Sequence, residues 1–151
     1  MVRSEKKWYD NYLPAANIQY MAKQRSKVTC YRDLIVWQRA IELTDLVHKT
    51  TRAFPRDERF ELTNQIGRAA TSIPSNIAEG HGRTHLREYL NHLSIARGSL
   101  MELETQLTIA ARRQYLSIEN QQRLFDLSGE VGRLLAGLVR ALRRRLPAPK
   151  T

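Results

Sequence analysis

The sequence predicts an all-α fold: an antiparallel, up-down-up-down four-helix bundle with a proline-kinked second helix. Three observations carry this. Apolar residues recur at spacings of three and four through four separate stretches, which is the period of one helix face. Short breaker segments divide those stretches at Phe54-Pro55, Gly80 to Gly82 and Tyr115 to Ser117. No alternating strand pattern and no hairpin dipeptide occurs. Four amphipathic helices on short loops pack most economically as antiparallel neighbours.

Residues 1–30 read as a basic, irregular arm in which Lys6, Lys7, Lys23, Arg25 and Lys27 are interspersed with Trp8, Tyr9, Tyr12 and Tyr20. Such a mixture can stack on and neutralise nucleic acid. The preferred reading is a leader, or codons upstream of a start at Met21, because no apolar period is sustained there. The bundle domain spans 31–146. Asp33 is the expected N-cap of the first helix, whose stripe is Val36, Trp37, Ala40, Leu43, Thr44, Val47 and Thr51. Trp37 and Phe54 are expected to anchor the two ends of the core.

Asp57 is the expected cap of the second helix, with Glu58 and Glu61 in its first turn, where carboxylates suit the helix dipole. Its stripe is Leu62, Ile66, Ala69, Ala70, Ile73 and Ile77, with Gly80 and Gly82 as stops. The third helix follows Thr84 and runs to about Tyr115, carried by Leu86, Leu90, Leu93, Ala96, Leu100, Leu103, Leu107 and Ala110. Ser117 caps the fourth, which continues through Leu124, Val131, Leu135, Leu138 and Leu142 to Arg143-Arg144-Arg145. Pro147 and Pro149 leave residues 147–151 as a short tail.

Pro74 sits in the middle of the second stripe without changing its phase. It lacks an N–H and crowds the Ala70 carbonyl, which costs a straight helix roughly 3 kcal/mol. The freed carbonyl is expected to be met by water or by a hydroxyl of Ser75 or Thr71.

Charge gives the first functional indication. The chain of 151 residues has 25 Lys plus Arg against 15 Asp plus Glu, a formal charge of +10. Within residues 33–146 every cation except Lys49 is arginine, the residue that binds phosphate bidentately and stacks on bases. Nucleic acid or an acidic partner is therefore expected. The single cysteine, Cys30, excludes an internal disulfide and multi-cysteine metal sites. With no bilayer-length apolar run, the expected location is cytoplasmic and no membrane partner is expected.

Candidate sites follow from helical projection. Ser72, Asn76 and Glu79 fall at i, i+4 and i+7 across the kink, a polar flank read as a helix or subunit contact more than a recognition groove. Arg97 lies beside the third stripe and is expected to pair with Glu79 or Glu104, because a near-core charge needs a partner. Arg133, Arg140 and Arg144 share one outward stripe, widened by Arg143 and Arg145. Phosphate binding and C-terminal capping account for them equally well. His81, His85, Glu88 and His92 match neither a di-iron nor a zinc motif. No phosphate loop, nucleophile elbow or acid–base pair is present, so no metal, cofactor, catalytic residue or enzymatic activity is expected.

Two runs, Tyr31-Arg32-Asp33-Leu34-Ile35-Val36-Trp37-Gln38-Arg39-Ala40 and Ser72-Ile73-Pro74-Ser75-Asn76-Ile77-Ala78-Glu79-Gly80, resemble the bacterial four-helix bundle family known as 23S rRNA intervening-sequence proteins. Ile95-Ala96-Arg97-Gly98-Ser99-Leu100 with Glu102 is similar to that family's third helix. The resemblance covers about residues 31–145. It implies a homo-oligomer, typically a pentamer, and no known catalytic activity. It also implies kinship with accessory proteins of diversity-generating retroelements, basic bundles that work with a reverse transcriptase and its RNA. The expected function is thus a non-enzymatic, oligomeric accessory protein binding RNA or DNA through its arginines. The alternative is a protein–protein adaptor, for example one docking a reverse transcriptase.

Overall fold

All four amphipathic stretches are helical in the computed structural model, which describes residues 28–147. They are α1 (Ile35–Thr51), α2 (Leu62–His81), α3 (Leu86–Arg112) and α4 (Ile118–Arg143), with 3-10 turns at Tyr31–Asp33 and Arg56–Phe60. No strand occurs among the described residues. Almost all of the predicted arm, and most of the tail, lies outside them. Each helix packs on two neighbours, α1 on α2 and α4, and α3 on α2 and α4, while the diagonal pairs do not meet. That is the predicted antiparallel ring. No helix among the described residues is long and apolar enough to cross a membrane.

The stripes converge on a core in which Leu43, Val47, Ile66, Ile73, Ile77, Leu93, Leu100, Leu103, Leu107, Leu124, Val131 and Leu135 are fully buried. Each such side chain contributes about 1.5–3 kcal/mol by leaving water. Phe54 closes one end, buried against Tyr115 at 5.5 Å between ring centroids. Trp37 is only half-buried and meets Tyr31 edge-on at 5.2 Å, so it covers the other end without filling it.

Two helix starts differ from expectation. Asp33 is not the cap of α1, which begins two residues later behind an extended Leu34. Its carboxylate accepts from the Thr29 amide (3.2 Å), the Thr29 hydroxyl (3.1 Å) and the Cys30 amide (3.0 Å), bracing the turn that leads in. Asp57 lies inside a 3-10 turn, and Glu61 stands at the N-cap of α2. Ser117 does cap α4, accepting from the Asn120 amide at 3.1 Å.

α2 runs unbroken through Pro74, which is itself buried. The freed Ala70 carbonyl accepts from Thr44 of α1 at 3.0 Å. The same Thr44 oxygen lies 2.8 Å from the Ala40 carbonyl, so one hydroxyl proton is shared between two helices. Neither expected donor serves. Ser75 donates to the Thr71 carbonyl and Thr71 to the Gly67 carbonyl, both at 2.8 Å, and both side chains are solvent-exposed. Ala70, by contrast, is completely buried.

Polar contacts close the ring. Arg39 of α1 makes a bidentate pair with Glu130 of α4, at 2.8 Å and 2.7 Å, and also pairs with Glu42. At the end carrying the α1–α2 and α3–α4 loops, the buried Glu58 carboxylate accepts from Arg113 (2.8 Å) and from the Tyr115 hydroxyl (2.9 Å). That hydrogen bond raises the Tyr115 phenol above its ordinary value. Gln114, just past α3, adopts φ 61°, and the following Tyr115 amide returns to the Ala110 carbonyl at 3.0 Å to close the helix.

The hydrogen bond from Arg39 holds the Glu130 carboxyl below its ordinary value of 4.5, against the opposing effect of burial. A carboxylate lowered by folding stabilises above its unfolded value and loses that contribution as pH falls through the folded one. Glu130→Gln should therefore lower stability near neutrality by about 0.5–1 kcal/mol for this half-exposed pair. In urea titrations the gap from wild type should shrink as pH falls through the carboxylate range. A gap independent of pH would contradict this role.

Candidate functional site

The polar flank of α2 faces α3 of the same chain. Ser72 and Ser99 hydroxyls lie 2.8 Å apart, and Asn76 donates to the Ser72 hydroxyl (3.1 Å) and carbonyl (2.9 Å). The Asn76 side-chain oxygen lies 3.1 Å from His92 Nδ1, while Arg83 Nε donates to His92 Nε2 at 3.2 Å. These roles assign the His92 proton to Nδ1. Glu79 pairs with Arg83, extending the chain of contacts to the surface. Ser72 and Asn76 thus spend their polar atoms on packing α2 against α3.

That seam is tightest at Gly80. A Cβ there would stand 2.8 Å from both His92 Cβ and Tyr89 Cδ2. Gly80 was expected as a helix stop, but it lies inside α2 and serves close approach; α2 ends one residue later, before Gly82. The Tyr89 hydroxyl is buried and finds no hydrogen-bond partner among the described residues, and burial pushes its pKa up to about 12.

Arg97 departs from its expected pairing. It is exposed and forms no ion pair among the described residues, because Glu79 is taken by Arg83 and Glu104 accepts from Ser128 at 2.8 Å. α3 and α4 pack less extensively than α2 and α3. Between the first half of α3 and the second half of α4 they leave a groove of about 490 Å³. Arg97 lines it with Arg133, Arg140 and Arg143, over aliphatic surface that includes Leu93, Leu100 and Val139. Sequence projection placed Arg133 and Arg140 on one face but could not bring Arg97 beside them, since that requires the pairing of two helices.

Arg144 and Arg145 extend the basic surface past the end of α4, both exposed. Backbone amides cap that end: Arg144, Arg145 and Leu146 donate to the carbonyls of Arg140, Leu142 and Arg143 at 3.3, 3.0 and 3.1 Å. None of Arg133, Arg140, Arg143, Arg144 and Arg145 forms an ion pair or side-chain hydrogen bond among the described residues. The antiparallel ring puts this end beside Arg32 and Arg87, both exposed.

Among the described residues no group of His, Cys, Asp and Glu is arranged to hold a metal ion. His92 is engaged in the seam, and His81 meets Tyr89 edge-on at 5.9 Å.

Comparison with known proteins adds a family. The model described as 23S rRNA-intervening sequence protein matches residues 32–137. Among solved structures, the chain is similar to a protein of unknown function from the S23 ribosomal protein family of Bacteroides thetaiotaomicron. The two share 25% identity, with 70% of this chain and 98% of that one covered and a TM-score of 0.63. No curated protein matches the chain.

The close approach at Gly80 predicts that Gly80→Ala lowers stability by about 1–3 kcal/mol through overpacking. Gly137→Ala, where a Cβ would meet nothing within 4 Å, should instead be neutral or stabilising by up to about 1 kcal/mol through helix propensity. Thermal unfolding by circular dichroism compares the two. Equal behaviour would remove the seam's special status.

Proposed function

The chain belongs to the 23S rRNA-intervening sequence protein family, and we propose that it is a non-enzymatic, oligomeric accessory protein that binds nucleic acid, RNA in particular, through its arginine-rich bundle end. The observation that carries this reading is the set of exposed guanidiniums on Arg140, Arg143, Arg144 and Arg145, which no carboxylate among the described residues neutralises. Backbone amides already meet carbonyls of the last turn, so these side chains are not held there as hydrogen-bonding caps. Phosphate oxygens supply what they lack, and arginine presents its donors in the geometry that phosphate accepts.

Assembly is part of the proposal. Ile95 and Ile109, fourteen residues apart on one face of α3, lie partly exposed, a strip that a second copy would cover. The family resemblance implies a pentamer. Repeating one arginine cluster around such a ring turns weak single contacts into avidity.

Binding to a structured RNA, followed by fluorescence anisotropy across a salt series, tests this. Affinity should fall steeply with salt, and Arg144→Ala with Arg145→Ala should reduce the log–log slope by about two for each engaged subunit. Light scattering on the same sample should give a multiple of the 17.5 kDa chain mass. Absence of binding at low salt, or a slope untouched by the double substitution, would defeat the reading.

A further inference from the structure

The α3–α4 groove has a chemistry that phosphate binding does not use. Its floor is aliphatic, and no aromatic side chain lines it. Nucleic-acid bases therefore have no stacking platform there, and a phosphate backbone held by the rim would leave the floor uncovered. Its rim is arginine, with Arg97 on α3 facing Arg133, Arg140 and Arg143 on α4, and no acidic residue lines any part of it. The occupant that satisfies both must be apolar on one side and anionic along its flanks.

Dimensions narrow the choice. The α3 wall runs from Leu90 to Met101, about 16 Å at the helical rise, or some three turns of a guest helix. Gly129, Gly132 and Ala136 lie on the α4 wall. These small residues keep the trough open to a helix backbone. Arg133 and Arg140, seven residues apart on one face, present cations about two turns apart. Acidic residues at i and i+7 of a helix lying alongside would meet them.

The chain is a poor occupant of its own groove. Residues 1–27 carry six basic and two acidic side chains, and the whole chain is +10, so both face the arginine rim with the same sign. We propose that the groove docks an acidic amphipathic helix of a partner protein, its apolar face on the aliphatic floor and its carboxylates on Arg97, Arg133 and Arg140. Arg140 borders both surfaces, but the peptide is read from the aliphatic floor and RNA from Arg144 and Arg145, so the two readings fail separately.

The probe is a labelled helical peptide of about 15 residues, with leucines at i, i+3, i+4 and i+7 and glutamates on both flanks. A scrambled peptide of equal composition and a lysine-flanked version are the controls, all read by anisotropy with the full-length protein. The glutamate-flanked helix should bind at least about tenfold more tightly than either control. Ala136→Trp, which fills the trough from an exposed position, and Met101→Glu, which charges its wall, should each weaken the peptide about tenfold. Arg144→Ala with Arg145→Ala should leave peptide affinity within about twofold. Ala136→Trp should leave RNA affinity unchanged.

Equal binding of the scrambled peptide would show charge attraction alone and overturn the proposal. So would a peptide indifferent to both groove substitutions. Loss of RNA binding in Ala136→Trp, with the peptide unaffected, would reassign the groove to nucleic acid.

Discussion

One hydroxyl lets α2 carry a proline through the core. Pro74 removes the amide that would have answered the Ala70 carbonyl, and that carbonyl lies where Ala70 is completely buried. An acceptor left unmet in such a place costs about 1–3 kcal/mol. Thr44 supplies the donor from the neighbouring helix at 3.0 Å while remaining within 2.8 Å of its own Ala40 carbonyl. The bond ties the register of α1 to that of α2 at a defined level of the bundle. From that level the opposite flank of α2 presents Ser72 and Asn76 to α3, and two turns on, Gly80 lets Tyr89 and His92 approach.

The consequence is an uneven ring. α2 and α3 are held closely by the hydroxyl, amide and imidazole contacts of their seam and by a glycine with no room for a Cβ. α3 and α4 meet across fewer contacts and open into the groove. Closed and open seams lie on opposite sides of α3. The closed one consumes its polar groups internally, whereas the open one leaves arginines without carboxylates. The open seam is where Arg97, Arg133, Arg140 and Arg143 come together from two helices with no carboxylate lining the space between them.

The sequence made the architecture legible because periodicity is a local property. Leu100, Leu103 and Leu107 declare a buried face from their spacing alone, and Ser117 declares a helix start because its bond to Asn120 spans three residues. What misled were residues with two uses. Asp33 and Asp57 are good caps by type, but an aspartate also braces or occupies a turn, and both do so here. Gly80 is a good stop by type and serves as a spacer. The donor for the Ala70 carbonyl lies 26 residues away, so no reading of nearby hydroxyls could find it. Arg97 was misassigned for a related reason: projection shows that it borders the stripe, whereas its freedom depends on how far α4 stands from it.

A double-mutant cycle between Thr44→Val and Pro74→Ala, measured by urea unfolding, tests the organising bond most directly. In the native background Thr44→Val should cost about 1–2 kcal/mol, because it orphans the Ala70 carbonyl. With alanine at position 74 the helix regains its own amide donor, so the same substitution should cost markedly less, giving a coupling of about 1 kcal/mol. Costs that are equal in the two backgrounds would mean that Thr44 merely packs beside α2, and that the proline is accommodated by something else.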